Sequence, residues 1–522
     1  MVKIVLNNLT SKIIGYLPDS VHDQLDKSLS YRVKTAIYSP KYKNKQWDGR
    51  IRLYRRNYGQ SFYSGLLSFV GEVLDENKIP YQKVDERIKP AQNLPHLTFT
   101  PPSNYEERDY QQFTIQRALQ RSRGILKIAT GGGKTMVVTE LIASIKTAPF
   151  MFYVLTKDLM WQAHDVLSSA LNEPIGVIGG GKCDIKNINV CTIQTAIQAL
   201  HKGEKIKVSD YKFDDEDDWD EDDLLSLEKK EKIRELIYSL KGLYFDETHH
   251  AAAKTCKDVL SASPNAFWRF GGSATPYRED GAEILIQAMF GKKIVDVTAS
   301  YLIDKGYLVQ PAIIFEPIEQ DCTYHAWKTV YKHCIIDNKD FNTHVANTAK
   351  HLMSKGLSVL ILVNQYAQGD FIKTMLPDAP FVTGKKTDKQ RDKSIEDLRN
   401  GNIKCMIATT LADEGLDIPT LDAVLMAGGG ASATRVNQRI GRTLRKDKKA
   451  TRQKKKALAI YYNHKGVRHL GDHAKKVRRI LKTEPRFEVI ESNGTGFIFS
   501  EIDLIMGANT QNTNTRTTLF DF

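Results

Sequence analysis

The six cysteines of this 522-residue chain, Cys183, Cys191, Cys256, Cys322, Cys334 and Cys405, stand far apart and form no Cys-x-x-Cys pair. That spacing argues against a zinc knuckle or a disulfide framework and suits reduced core thiols in a cytosolic compartment. Long apolar runs are also missing. No segment approaches the roughly 20 residues that span a bilayer, and the opening Met1-Val-Lys-Ile-Val-Leu-Asn-Asn-Leu-Thr has no small-residue cleavage site. The expectation is a soluble protein of the cytoplasm, or of the host cytoplasm if the chain is viral. No short-period repeat of the solenoid kind is present. What the chain has in excess is positive charge: 75 Lys and Arg against 62 Asp and Glu, a formal net charge of +13. Clustered basic side chains gain affinity by releasing counterions from phosphates, so a polyanionic partner is favoured, although charge says nothing about fold.

The length suggests three or four units at about 100–200 residues each. Residues 1–90 read as a basic N-terminal unit of α+β type, followed by a Pro-rich, polar linker over 91–104. Over 105–310, short β-rich runs (Gly124–Ile128, Phe150–Leu155, Asn189–Thr192, Gly242–Phe245) alternate with longer helical stretches, the rhythm of a parallel α/β sheet. The rhythm pauses near Pro311 and resumes over 311–465 with Ser358–Val363, Pro380–Val382, Lys404–Ala408 and Ala423–Met426. Two consecutive α/β domains with a cleft between them are expected. A basic helix and a short β-like piece form a C-terminal extension over 466–505, and the polar tail 506–522 lacks the apolar surface to fold.

Three boxes carry chemistry. Ile128-Ala-Thr130-Gly131-Gly132-Gly133-Lys134-Thr135 follows an apolar strand and precedes a helical run. Glycines there let backbone N–H groups converge on phosphate oxygens, Lys134 neutralises phosphate charge, and Thr135 offers a hydroxyl to Mg²⁺. Ile128 replaces the first glycine of the strict pattern, so the stretch alone also fits a glycine turn with a chance Lys-Thr. Leu243-Tyr-Phe runs into Asp246-Glu247-Thr248-His249. Carboxylates at a strand's carboxyl end face the ligand crevice of an open sheet, where Asp246 would hold Mg²⁺ and Glu247 would deprotonate the attacking water. The third box, Gln438-Arg-Ile-Gly-Arg442-Thr-Leu-Arg445, places Arg442 and Arg445 on one helix face, suited to a phosphoryl transition state or to plain solvation.

Read in order over about residues 105–465, these boxes resemble the superfamily 2 helicases of the DExH type. Arg108-Asp-Tyr-Gln111 resembles the family's adenine-contacting motif. Val154-Leu-Thr156-Lys157, Ile178-Gly-Gly-Gly181 and Thr192-Ile-Gln-Thr195 resemble its strand-gripping motifs, and Ser273-Ala-Thr-Pro its coupling motif. Val359–Val363 and Val382-Thr-Gly384 look like early motifs of the second domain, and Ala408-Thr-Thr410-Leu-Ala-Asp-Glu414-Gly415-Leu-Asp417 like its fifth. The resemblance implies two tandem RecA-like parallel-sheet domains, an ATP and Mg²⁺ cofactor set, and catalytic roles for Lys134, Asp246, Glu247, His249, Gln438, Arg442 and Arg445. It adds Gly415 and Asp417 to the nucleotide contacts, and Thr156, Lys157, Thr192 and Thr410 as grips on one DNA strand. The tract Tyr38–Leu53 extends the likeness to the UvsW-type recombination helicases of T-even bacteriophages, which implies branched DNA as substrate, with an RNA-remodelling helicase or a motor-positioned recruitment module as the alternatives.

Lys41–Arg56 interleaves seven basic residues with Tyr42, Trp47 and Tyr54. Lys41, Lys43, Trp47, Arg50 and Arg52 form either a DNA-reading surface or a solvated strand with Trp47 as filler. Alternation in Arg50-Ile-Arg-Leu-Tyr predicts a half-buried strand with its arginines outward. Nine acids in ten residues, Asp214–Asp223, predict a solvated loop, inert or competing with DNA for a basic groove. Leu519, Phe520 and Phe522 end the polar tail and resemble sliding-clamp-binding peptides, the alternative being docking on the chain itself.

Overall fold

The computed structural model describes residues 1–103, 105–201, 225–275, 282–384, 388–409, 420–429, 436, 439–441, 443–444, 454, 456–493 and 498–507. The chain falls into two compact units: Met1–Ala129 with Gly133–Val297, and Thr130–Gly132 with the chain from Thr298 onward.

The first unit opens on β1 (Val2–Leu6), β2 (Thr10–Ile14), β3 (Ser30–Arg32), β4 (Arg50–Arg52), β5 (Tyr54–Arg55), β6 (Ser61–Tyr63) and β7 (Tyr81–Asp85). Five of these form a sheet in the order β5-β6-β2-β1-β7, with β1 and β7 parallel, while β3 and β4 make a separate antiparallel ribbon. The helices Asp19–Ser28 and Leu67–Glu76 bury Val21, Leu25, Val70 and Leu74 against it. This sheet is packed onto the rest of the unit. The turn Ser64–Leu66 is buried against the helix Glu283–Phe290, so closely that a Cβ on Gly65 would lie 2.1 Å from the Gln287 carbonyl oxygen. Asn8 Nδ2 donates to the Asn265 carbonyl at 3.0 Å, Arg123 Nη2 to the Asn8 carbonyl at 2.5 Å, and Lys292 pairs with Glu72 at 2.6 Å. One hydrophobic cluster runs from Val2 to Phe290. The Pro-rich tract beyond it is pinned as well: Leu94 and Leu97 are buried, and the Leu94 and Thr100 N–H groups bond the carbonyls of Lys146 and Ala170.

The larger sheet holds β8 (Arg123–Ile128), β9 (Phe150–Val154), β10 (Ile175–Gly179), β11 (Lys182–Asp184), β12 (Ile188–Thr192), β13 (Gly242–Asp246), β14 (Trp268–Ser273) and β15 (Lys293–Val297), in the order β11-β10-β12-β9-β13-β14-β8-β15. All pairings are parallel except β10 with β11, a hairpin turned by Gly180 and Gly181 at φ 57° and 75°. Strands covered on both faces read as continuous apolar runs, which is why β8, β9, β12 and β13 were legible in the sequence.

The second unit carries β16 (Gln310–Glu319), β17 (Val359–Val363), β18 (Phe381–Val382), β19 (Cys405–Thr409), β20 (Ala423–Met426), β21 (Lys456–Lys465) and β22 (Glu488–Glu491), all parallel, in the order β18-β19-β17-β20-β21-β16-β22. Here the structure corrects the sequence reading. Where the rhythm paused at Pro311, β16 and β21 pair over ten residues each. Prolines suit a strand only where no ladder bond is lost. β22 pairs with Ala312–Phe315 alone, leaving Pro311 and Pro317 beside an open edge. The expected C-terminal extension therefore belongs to this sheet: it supplies β22, and Ile498 and Ile502 are fully buried in the second core. The break between units falls at Val297, ahead of the expected residue 310. Among the described residues no helix is long and apolar enough to cross a membrane.

Candidate active site

β13, β14 and β8 are consecutive neighbours and parallel, so the three loops leaving their carboxyl ends open side by side. Ile128, the residue that breaks the phosphate-loop pattern, is the fully buried last residue of β8 and pairs with Val297. The turn begins only after it. Gly131 and Gly133 take φ of 80° and 72°, a region closed to most side chains, and Gly133 caps the helix Lys134–Ile145. The first turn of a helix has N–H groups without intrahelical acceptors, and they concentrate partial positive charge there.

Lys134 Nζ lies 3.2 Å from Asp246 Oδ1 and 3.3 Å from Glu247 Oε1, all three side chains largely buried. Burial pushes the ammonium down, but the two carboxylates outweigh it and hold Lys134 above its ordinary range. Burial raises Asp246, helped by the neighbouring Glu247 charge and opposed by Lys134 and by Tyr244, whose hydroxyl donates to Oδ1 at 3.1 Å. Glu247 is also pushed up by burial, yet Lys134, His249 and His250 bring it well below the usual carboxylate range. Its backbone sits at φ 53°, ψ 58°, the left-handed region that costs a non-glycine residue about 1–2 kcal/mol. Ser273 Oγ donates to Glu247 Oε2 at 3.2 Å, accepts the Thr275 N–H at 3.1 Å, and lies 3.4 Å from His249 Nδ1. The Ser-Ala-Thr box is thus hydrogen-bonded to the acidic box. Sequence reasoning missed Tyr244; the signal was Gly271-Gly272, because a Cβ on Gly272 would meet the Tyr244 hydroxyl at 1.9 Å.

Gln111 is almost fully buried and accepts the Arg108 N–H at 2.9 Å and the Tyr105 hydroxyl at 2.6 Å, capping the helix Asp109–Arg121. Its Nε2 would be 3.3 Å from a Cβ on Gly133, which places the expected adenine motif against the phosphate loop. Thr156 and Thr192 each cap a helix, accepting the N–H groups of Leu159 at 3.3 Å and Thr195 at 3.4 Å. Thr192 is buried and also donates to Thr195 Oγ1, so its hydroxyl is committed to the cap. Beside them the sequence reading missed Trp161, 37% exposed, with Lys182 Nζ 4.5 Å from its ring centroid.

The N-terminal tract departs from expectation. Among the described residues β4 pairs with β3 alone, and Ile51 is exposed rather than turned inward. Arg52 is taken up by Asp26 and Asp48, each at 2.6 Å, and these bonds raise it. Arg50 Nη1 donates to Ser30 Oγ at 3.0 Å, and half-buried Trp47 bonds the Arg50 carbonyl at 2.7 Å, bracing the ribbon. Lys41 and Lys43 remain exposed. Thr410, Glu414, Gly415, Asp417, Gln438, Arg442 and Arg445 lie outside the described residues, as do the acidic tract 214–223 and Leu519, Phe520 and Phe522. Of the third box, Arg439 and Ile440 are buried.

Two family models match the chain: Type III restriction enzyme, res subunit, over residues 104–278, and Helicase conserved C-terminal domain, over residues 344–447. Helicase 22 of the Sulfolobus islandicus filamentous virus (isolate Iceland/Hveragerdi) is 26% identical over 503 residues, covering 88% of this chain and 80% of its own. The ATP-dependent DNA helicase uvsW of Enterobacteria phage T4 is 23% identical over 465 residues, covering 82% and 84%. The solved structure of S. cerevisiae Dbp5 bound to RNA and ADP BeF3 matches with a TM-score of 0.51 at 15% identity, over 78% of this chain and 94% of that one, a likeness of fold alone.

Proposed function

This chain is a superfamily 2 helicase, an ATP-dependent enzyme, and from that premise we propose that it remodels branched DNA, unwinding or migrating a junction as ATP is consumed. The observation that carries the motor reading is the adjacency of β13, β14 and β8, which puts Lys134, Asp246, Glu247 and Ser273 in one hydrogen-bonded group. The donor set fits a magnesium nucleotide: a positive-φ glycine loop, a charged lysine at its head, and the hard oxygens of Thr135 and Asp246. Bound Mg²⁺ supplies Lewis-acid neutralisation of phosphate charge. The chain's own residues do the rest. Lys134 is already charged and meets phosphate without a protonation step. Glu247, an ionised carboxylate held by Ser273 and His249, accepts the proton of the attacking water. Ser273 senses that carboxylate, so loss of its charge is passed to the loop after β14. Arg442 and Arg445 meet the transition-state charge in this reading.

Three observations support DNA, and a branch in particular. The net charge is +13. The viral and phage relatives align over more than four-fifths of the chain, and the phage relative is a DNA helicase. The N-terminal sheet is fixed to the motor unit by shared core and polar contacts, so a junction arm held by Lys41 and Lys43 would be held rigidly relative to the ATP site. The test is ATP turnover of the full chain with forked DNA, blunt duplex and RNA. The fork is expected to stimulate most, by about tenfold or more, a change of about 1.4 kcal/mol in barrier. Stimulation by RNA equal to that by the fork would overturn the reading.

A further inference from the structure

β16 and β21 pair in register from Gln310 and Lys456 to Glu319 and Lys465, so their carboxyl ends are level. In open parallel sheets that end is where ligands bind. The segment after β16 enters the short helix Trp327–Tyr331, and the one after β21 enters the helix Arg468–Leu481. Between them stand two groups of rings at the surface, one around Trp327 with tilted and edge-on contacts and one a stacked pair. Trp327, 38% exposed, lies 5.3 Å from the His473 ring and 5.3 Å from the Tyr331 ring. Tyr324, 46% exposed, stacks on His333 at 4.6 Å and 18°. The group is anchored: the Tyr331 hydroxyl donates to the Gly428 carbonyl at 2.6 Å, on the loop after β20, and His469 Nε2 lies 3.2 Å from the His325 carbonyl.

A packing role would bury an indole or back it with aliphatic side chains. Trp327 instead rests on imidazole and phenol rings and keeps over a third of its surface in water. The residues around it are cationic and exposed: Lys328 and Lys332 on its own segment, Arg468 at the head of the facing helix. That helix carries five Lys and Arg against one acid, Asp472, which lies 3.5 Å from Lys475. Asp321 and Asp337 are the acids of the Trp327 segment before its next helix. Exposed rings among cations suit unpaired bases, whose faces are open to stacking while their phosphates need charge; a paired duplex hides those faces.

We propose that the exposed Trp327 and Tyr324 rings form a base-stacking platform for an unpaired DNA strand, with Lys328, Lys332 and Arg468 meeting its phosphates. This rests on the reading of the chain as a DNA helicase. The probe is a fluorescein-labelled oligo(dT) of about 20 nucleotides, a length above one single-strand site, titrated into the full-length chain without nucleotide, with a blunt duplex in parallel. One stacked base contributes about 1–3 kcal/mol, so Trp327→Ala is expected to weaken oligo(dT) binding by roughly fivefold or more. Trp327→Phe retains most of it, and blunt-duplex affinity changes little. Lys328→Glu with Lys332→Glu, both on exposed positions, is expected to weaken oligo(dT) binding and to make its fall with rising salt shallower than in the parent chain. Unstimulated ATPase stays unchanged in all three. Oligo(dT) affinity equal to the parent in both Trp327→Ala and the lysine pair overturns the platform, as does an equal loss on oligo(dT) and duplex. A raised KM for ATP with unchanged oligo(dT) binding would put the rings against the adenine base and overturn it too. If the parent chain binds neither DNA, the helicase reading falls; if it binds and the variants match it, the platform alone falls.

Discussion

At the scale of single residues, the acidic box is governed by one buried cation. Lys134→Ala is expected to abolish ATP turnover, and it also leaves Asp246 and Glu247 buried without their counter-charge, so the melting temperature of the nucleotide-free chain should fall as well. Glu247→Gln keeps the hydrogen bond from Ser273 but removes the base, so kcat should drop by about 10²–10⁴ with ATP binding retained, measured by single-turnover hydrolysis and nucleotide titration. A second residue-scale prediction concerns His464, buried on β21, where Gln320 Nε2 lies 2.6 Å from Nδ1 and burial pushes the imidazole from its ordinary 6.5 down to about 3. Between those values the unfolded chain takes a proton that the folded chain refuses, so stability is lost as pH falls from 6.5. At pH 5 the loss is about 2 kcal/mol. His464→Gln should flatten that part of the profile, read as the urea midpoint at pH 7 and pH 5; an unchanged slope would show that other groups set it.

At the scale of elements, the turn Ser64–Leu66 and the helix Glu283–Phe290 form the closest contact between the N-terminal sheet and the motor sheet. Gly65→Val has no room, since the new Cβ would press on the carbonyls of Gln287 and Ala288. A destabilisation of about 1–3 kcal/mol is expected, visible as a lower melting temperature. A variant as stable as the parent would mean the two elements can part freely. Thr156 and Thr192 both serve as helix caps. Thr192 closes the first turn of Ile193–Leu200 with its hydroxyl, and a cap contributes about 0.5–2 kcal/mol.

For the whole molecule, the shared core has a plain consequence. Removing residues 1–90 would uncover the Gln287 and Ala288 backbone beside Gly65 and leave the Asn265 carbonyl and Arg123 without Asn8. The truncated chain is expected to aggregate or to melt well below the full chain in calorimetry, and a soluble truncation with the parent melting temperature would show two independent folding units. The linker expected over 91–104 is, over Leu94–Thr100, a strap along the motor rather than a tether.

The parallel α/β character of the motor, and the strands β8, β9, β12 and β13 of its first sheet, were legible in the sequence because strands buried on both faces must be continuously apolar, and the glycine and acidic boxes follow directly from strand ends. What local pattern could not carry was anything set by a neighbour distant in the chain. β16 hides behind Pro311 and Pro317 because a proline is tolerated only where a partner strand stops, and that partner, β22, lies about 170 residues on. Arg52 looked like a phosphate contact, yet Asp26 claims it from another element. The coupling of Ser273 to Glu247, and the edge-on contact of Trp327 with His473, exist only because the sheets place strand ends side by side; sequence supplies the groups, and tertiary structure decides which of them meet.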